Sequence, residues 1–367
     1  MAAMTAHAEP AAGPGPGPGP VRLPGLAWVV WRQHRAALAG LLLLVGAGAV
    51  AMIVTGLPIH TTYSSFVNDH CTSSWAARAC ANLANRTSDY KEGTLPIALH
   101  VFPVLIGVFL GAPLLAREIE AGTFRFAWTQ EVGRTRWLLA KLLMLGLAVV
   151  VACAVAGALG AWWLHPFDVI GDSSRWQGGE FDVAPVALAG WSLLAFAAGV
   201  LAGALIKRTV AAMAATAVAV TAVLGLFWFK LDYLIFGVAP LTGPSNPLRL
   251  AGGLTGPGPS AINSWDSGGG AGQTAGGWLV RGWYTQGGHP MTAGTFDRVV
   301  NALYGGDNTS SPPNPMRWLA AHHDVFQVAY QPGTRFWEFQ AVTAAALLLP
   351  ALALAAAAIA VVRHRGA

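Results

Sequence analysis

The sequence predicts an all-α membrane protein. Six transmembrane helices have both termini in the cytoplasm, a charged cytoplasmic connection joins spans two and three, and a large external insert precedes span six. Three observations carry that prediction. Charged residues make up only 11% of the 367 residues and apolar ones 54%, with a mean hydropathy of +0.50, whereas soluble chains are roughly a quarter charged. The apolar residues fall in runs of about twenty, the length a helix needs to cross roughly 30 Å of hydrocarbon. The segments that would lie inside hold 12 of the 22 Lys and Arg but only 4 of the 17 Asp and Glu, the bias expected of cytoplasmic loops. The net charge of +5 therefore reads as membrane topology. Its basic residues form no stripe, and no nucleic-acid partner is expected.

Residues 1–35 form a disordered Gly/Pro tail, with GPGPGPGP at 13–20, followed by an interfacial lead-in, Trp28-Val29-Val30-Trp31-Arg32-Gln33-His34-Arg35. Alternating Gly and Pro cannot hold a helix. Trp beside Arg suits the headgroup layer, and without early basic residues no cleaved leader is expected. Residues 36–229 hold spans one to five, at about Ala36–Thr55, Pro96–Ala116, Leu142–His165, Val183–Ile206 and Val210–Phe229, with an external loop at 56–95 and a cytoplasmic loop at 117–141. Lys207-Arg208 forms the basic turn between spans four and five. Residues 230–338 are the extracytoplasmic insert, in which two short helices are legible, Phe296–Tyr304 and Pro315–His323. Residues 339–367 give the last span and a basic tail.

The 117–141 loop, REIEAGTFRFAWTQEVGRTRWLLAK, concentrates eight charged side chains: Arg117, Glu118, Glu120, Arg125, Glu131, Arg134, Arg136 and Lys141. Such charges cost several kcal/mol each at the bilayer centre, so the loop belongs at a membrane surface, where a partner can reach it. Gly122-Thr123 should stop one short helix and start another that carries Phe124, Phe126 and Trp128.

Several chemistries are excluded. The four Lys residues follow Tyr90, Ala140, Ile206 and Phe229, so no Gly-Lys-Ser/Thr phosphate loop exists. No nucleophile elbow or His-Glu-x-x-His motif is present. The predicted span interiors contain no Asp, Glu, Lys or Arg, which ion-coupled transporters place at the midplane; His100, near the start of span two, reads as a packed residue. His322-His323-Asp324 is the one His/Asp cluster, and adjacent helical residues do not share a face, so no metal is expected. Gly107-x-x-x-Gly111 and Gly199-x-x-x-Gly203 read as packing surfaces, and Cys153 as inert packing within span three.

The loop resembles the first cytoplasmic loop of type-2 ABC exporter permeases, which has a Glu, then Gly-Thr, then Arg-x-x-Trp and a Lys opening the next span. Those positions are Glu118 or Glu120, Gly122, Thr123, Arg134, Trp137 and Lys141 here. The WRQHR string at 31–35 is similar to the start of the first span in that family. The string YQPGTRFWEFQ at 330–340 resembles the start of its last span in an actinobacterial branch.

The resemblance implies the permease subunit of an exporter in the cell membrane, multi-pass and without enzymatic activity of its own. It implies a homodimer or permease pair, each permease joined through a coupling helix in 117–141 to a separate cytoplasmic ABC ATPase. ATP and Mg would be held by that ATPase and no cofactor by this chain. The coupling residues would be Glu118, Glu120, Gly122, Thr123, Arg134, Arg136, Trp137 and Lys141, none of them catalytic. Uncharged spans suit a lipophilic substrate. The competing reading is a membrane sensor or immunity protein that binds an external ligand without transport. A membrane-embedded enzyme is disfavoured, because the spans lack paired acid, base or nucleophile residues.

Cys71 and Cys80 fall in the external 56–95 loop, an oxidising location. A disulfide is expected there rather than free thiols, with about 2.5–3 kcal/mol of loop-entropy stabilisation. Mass mapping after alkylation without reductant should find neither residue labelled. Two alkylated thiols would rule the bridge out.

Overall fold

The structure, a computed structural model, describes residues 23–68, 95–122, 134–170, 175–176, 178–227, 241–244, 260–261, 278–304 and 315–364. Six helices are long and apolar enough to cross a membrane: Trp28–Ser65, Ala98–Glu120, Thr135–Phe167, Pro185–Ile206, Thr209–Leu226 and Gly333–His364, spans one to six. Span one lies within α1 (Leu23–Asn68). Span two is built from α2 (Leu95–Ile106), a π-helical turn at Gly107–Gly111, and α3 (Ala112–Glu120). Span three lies within α4 (Arg134–Ile170); the short α5 (Gly178–Asp182) precedes α6 (Pro185–Ile206), and α7 (Thr209–Leu226) is span five.

Helix α1 runs past the apolar stretch at both ends. Beyond Pro58, the hydroxyls of Thr61 and Thr62 donate to the Pro58 carbonyl at 2.7 and 3.1 Å, and those of Ser64 and Ser65 to the Thr61 carbonyl. This is the back-bonding to carbonyls three and four residues earlier by which Ser and Thr hydroxyls find partners within a helix. Residues 56–68, expected in the external loop, are helical, and so is the lead-in at 23–35.

Spans two and four are the centre of the bundle: 56% of each apolar stretch is buried, against 17% for spans one and five. They meet through glycine. A Cβ on Gly111 would stand 2.5 Å from the Phe196 carbonyl oxygen, one on Gly203 would stand 2.5 Å from that of Ala112, and one on Gly199 would strike the Gly107 carbonyl. The two small-residue motifs thus pack on each other, backbone to backbone. The π turn falls at this crossing. Ala112 donates its N–H to the Gly107 carbonyl, five residues back, just before Pro113, which has no N–H to give.

The spans alternate in direction. At the bridge end, Gln33 of α1, Glu118 of α3 and Lys141 of α4 meet, and Ala358 and Val362 share a core cluster with Leu38 and Leu138. At the other end, the insert end, His60 stacks on Trp162 at 4.3 Å. Trp176, Phe181, Phe336 and Phe339 form an aromatic cluster there. Beside them the buried Gln340 donates to the Phe181 carbonyl at 3.0 Å and accepts the Ala187 N–H at 2.9 Å.

The insert contains strands that its sequence did not announce. β1 (Leu241–Pro244), β2 (Ser260–Ala261), β3 (Trp278–Gln286), β4 (His289–Pro290) and β5 (Asp324–Gln331) make an antiparallel sheet of order β1-β5-β3-β2, with β4 on β3. The β3–β4 hairpin turns at Gly287-Gly288, φ +57° and +83°, a two-residue turn that needs left-handed residues. The two expected helices are present as α8 (Ala293–Tyr304) and α9 (Pro315–Ala321). β5 leads through a 3₁₀ turn at Gly333–Arg335 into α10 (Phe336–His364), which carries span six.

The glycine crossing gives a paired expectation. Gly199→Val should lower thermal stability in detergent by about 1–3 kcal/mol or more, the cost of overpacking a close contact. Gly46→Ala, inside α1 where a Cβ meets nothing within 4 Å, should leave the melting temperature unchanged or slightly raised, since Ala is the better helix former.

Candidate functional site at the bridge end of the bundle

Helix α3 buries Ala112, Leu114, Leu115 and Ala116, and its last turn carries the charges Arg117, Glu118 and Glu120. It stops where expected. Gly122 has φ +69°, and the Ala121 and Gly122 amides bond back to the Arg117 and Ile119 carbonyls at 3.0 and 3.2 Å, a left-handed glycine closure.

Glu118 and Glu120 then diverge. Residues two apart on a helix point to nearly opposite sides. Glu118 Oε1 accepts from Gln33 Nε2 of span one and forms an ion pair with Lys141 Nζ of span three. The Lys141 side chain is fully buried and that of Glu118 is 12% exposed. The ammonium also lies 3.8 Å from the centroid of the Trp137 ring, a cation–π contact. Because α4 begins at Arg134, Lys141 sits two turns inside the helix. Expected as a surface cation, it is instead an internal one, held by Glu118 and Trp137. A buried pair need not add net stability, but removing one partner strands the other at a cost of about 3–5 kcal/mol.

Glu120 turns to span five. Its Oε2 accepts the Thr209 N–H at 2.9 Å and the Thr209 hydroxyl at 2.6 Å. The residue before the helix, Arg208, supplies no side-chain cap, so a carboxylate from another helix does. It meets orphan donors and complements the positive end of the helix dipole. The basic turn is tight: α6 ends on Lys207 at φ +63°, with its N–H on the Gly203 carbonyl.

The sequence-predicted coupling residues thus separate. Glu118, Trp137 and Lys141 come together inside the bundle end, and Glu120 joins span five. Arg136 is exposed, as is Gly122. Arg134 opens α4. Thr123 and the aromatic piece at 124–128 lie outside the described residues, as do Cys71 and Cys80. Sequence reasoning missed Gln33 and Thr209. Gln33 was legible only as part of an interfacial string, and Thr209 as a residue beside a basic turn.

Elsewhere, Cys153 is buried in span three, as expected. His100 is half-buried, with Gly179 beside its ring. In the His322-His323-Asp324 string only Asp324 is buried, opposite Gln286 at the start of β5, and burial pushes its carboxyl above the usual carboxylate range. Among the described residues, no group of three His, Cys, Asp or Glu side chains is placed to hold a metal ion.

Residues 41–230, just over half of the chain, match the family described as ABC-2 membrane transporter related. The chain belongs to that family. It is a multi-pass membrane permease subunit of an ABC transporter. The matched region takes in the charged bridge, Lys141, the glycine crossing and the Glu120–Thr209 contact; it stops before the insert and the last span. No curated protein and no solved structure matches this permease.

Replacing Glu118 by Lys in the permease sets a second ammonium against buried Lys141. The variant should lose about 3 kcal/mol or more of stability, read as a lowered melting temperature in detergent. Glu118→Gln with Lys141→Met, which removes both charges, should recover most of that loss. A Glu118→Lys variant as stable as the parent would show that the pair is not buried.

Proposed function

We propose that the permease is the membrane-spanning subunit of an exporter in the cytoplasmic membrane, with both termini in the cytoplasm. Its energy comes from ATP hydrolysed, with Mg, by a separate ABC ATPase that docks on the 117–141 loop. It works as a homodimer or a permease pair. One observation carries this reading. The end of α3 is bonded to span one, span three and span five at once, so a partner that displaces the loop moves three spans. Arg117 and Arg136 are exposed beside it and offer charge to such a partner.

A lipophilic substrate is favoured by the apolar character of the spans. Lys141 and Glu118, drawn into the bundle, sit at its bridge end. An apolar cavity of about 370 Å³ lies between spans one and two, lined by Ala37, Gly40, Leu44, Leu105, Phe109 and neighbours.

Affinity capture of the tagged, detergent-solubilised chain from its host should recover a P-loop ATPase in stoichiometric amount, and Arg136→Glu combined with Arg117→Glu should reduce that recovery about tenfold, the effect of losing charged contacts at an interface. Recovery of the chain alone, in detergent that preserves comparable complexes, would contradict the proposal. It would favour a sensor or immunity protein that reads an external ligand through its folded insert.

A further inference from the structure

The two carboxylates at the end of α3 have separable roles, and the second reaches a span whose attachment is slight. Span five is among the least enclosed of the six, with 17% of its apolar stretch buried. Its large side chains Val210 and Val218 are 79% and 72% exposed. Toward the protein it touches spans two and four. Ala212 packs with Ala112 and Ala116 in one small cluster, and the Thr216 methyl lies against Gly107, where a Cβ would come within 3.2 Å. At the bridge end these contacts centre on small side chains, with Met213 packed beside them, and further along Phe227 meets Trp191 of span four edge-on at 4.7 Å. At its bridge end Glu120 bonds to Thr209, across 89 residues of sequence.

We propose that Glu120 is the positioning residue that conveys displacement of the 117–141 loop to span five, while Glu118 conveys it to spans one and three. The inference rests on the reading of that loop as the ATPase contact and assigns which span each carboxylate drives. Three features make the Glu120 contact suited to transmission. It engages the first residue of the helix, so it acts along the helix axis. It has two acceptor bonds from one residue, which fixes direction as well as distance. And the Ala112–Ala116–Ala212 packing beside it is too close to absorb movement by side-chain rotation.

Thr209 provides a clean test. It is the first residue of α7, and Arg208 before it is extended at φ −116°, ψ 122°. Proline is tolerated at a first helical position, and an extended residue is what proline requires before it. Thr209→Pro therefore removes both donors to Glu120 while keeping the helix start. The experiment uses the full permease with its ATPase in lipid vesicles, the native cysteines replaced by serine, and an environment-sensitive fluorophore at Val218→Cys or, separately, at Val50→Cys of span one. Addition of ATP and Mg should shift both fluorophores in the parent complex. In Thr209→Pro the span-five shift should fall about fivefold or more, the scale of a typical coupling between sites. The span-one shift and the amount of ATPase bound should stay as in the parent. Thr209→Ala, which keeps the amide, should fall between the two.

A full span-five shift in Thr209→Pro would overturn the proposal while leaving the ATPase contact standing, as would equal loss at both positions. A parent chain that binds no ATPase would overturn the proposal together with the reading it rests on.

Discussion

A fully buried ammonium has to be matched by an anion, and the bridge end of this permease is arranged around that requirement. Lys141 lies two turns inside span three, against the face of Trp137, and Glu118 is the carboxylate that meets it. Since an unpartnered buried charge costs several kcal/mol, the end of α3 cannot drift from span three without a large penalty. That fixes Glu118. The helix geometry then fixes Glu120 on the opposite side, where it caps span five. Gly122 ends the helix one residue beyond Ala121, so both carboxylates belong to a turn that is ordered on its own terms.

The glycine crossing is the other half of the same construction. Spans two and four approach so closely at Gly107, Gly111, Gly199 and Gly203 that one backbone lies against the other. They act as a shared post. Most of the apolar surface of spans one and five is turned outward; span five packs on that post and span one on span three, and Thr209 and Gln33 tie them to the end of α3. A loop that joins a rigid centre to two loosely packed spans is well placed to convert a push on its surface into movement of those spans. At the insert end a different chemistry holds: stacked and edge-on aromatics, with the Arg175 guanidinium over the Phe336 ring and the Gln340 amide both donating and accepting.

Much of this was legible in the sequence. Charge content and apolar run length gave six spans, and the six helices long enough to cross a membrane fall at those places. The helix stop at Gly122 followed from a glycine with no competing reading. The two GxxxG motifs were visible as packing surfaces, but their mutual contact was not, because spacing along one helix carries no information about its partner. The same limit hid Thr209 and Gln33: each bonds to a residue 85 or more positions away. Lys141 was misplaced because a lysine beside an apolar run reads as the last surface residue, and only the neighbouring Trp137 and Glu118 make its burial tolerable. The sheet escaped for a related reason. β3 and β5 pair across 37 intervening residues, and β3 carries Gly282 and an irregularity at Leu279–Arg281 that blur its alternation.

The central claim is that the 117–141 loop, and not the insert, is where the permease meets the protein that drives it. Hydrogen–deuterium exchange of the permease in lipid nanodiscs, alone and with its ATPase, measures this directly. The account predicts slowed exchange in peptides covering 117–141 and the first turn of span five, with the 241–331 segment unchanged. Unchanged exchange at 117–141 with slowing in the insert would contradict it.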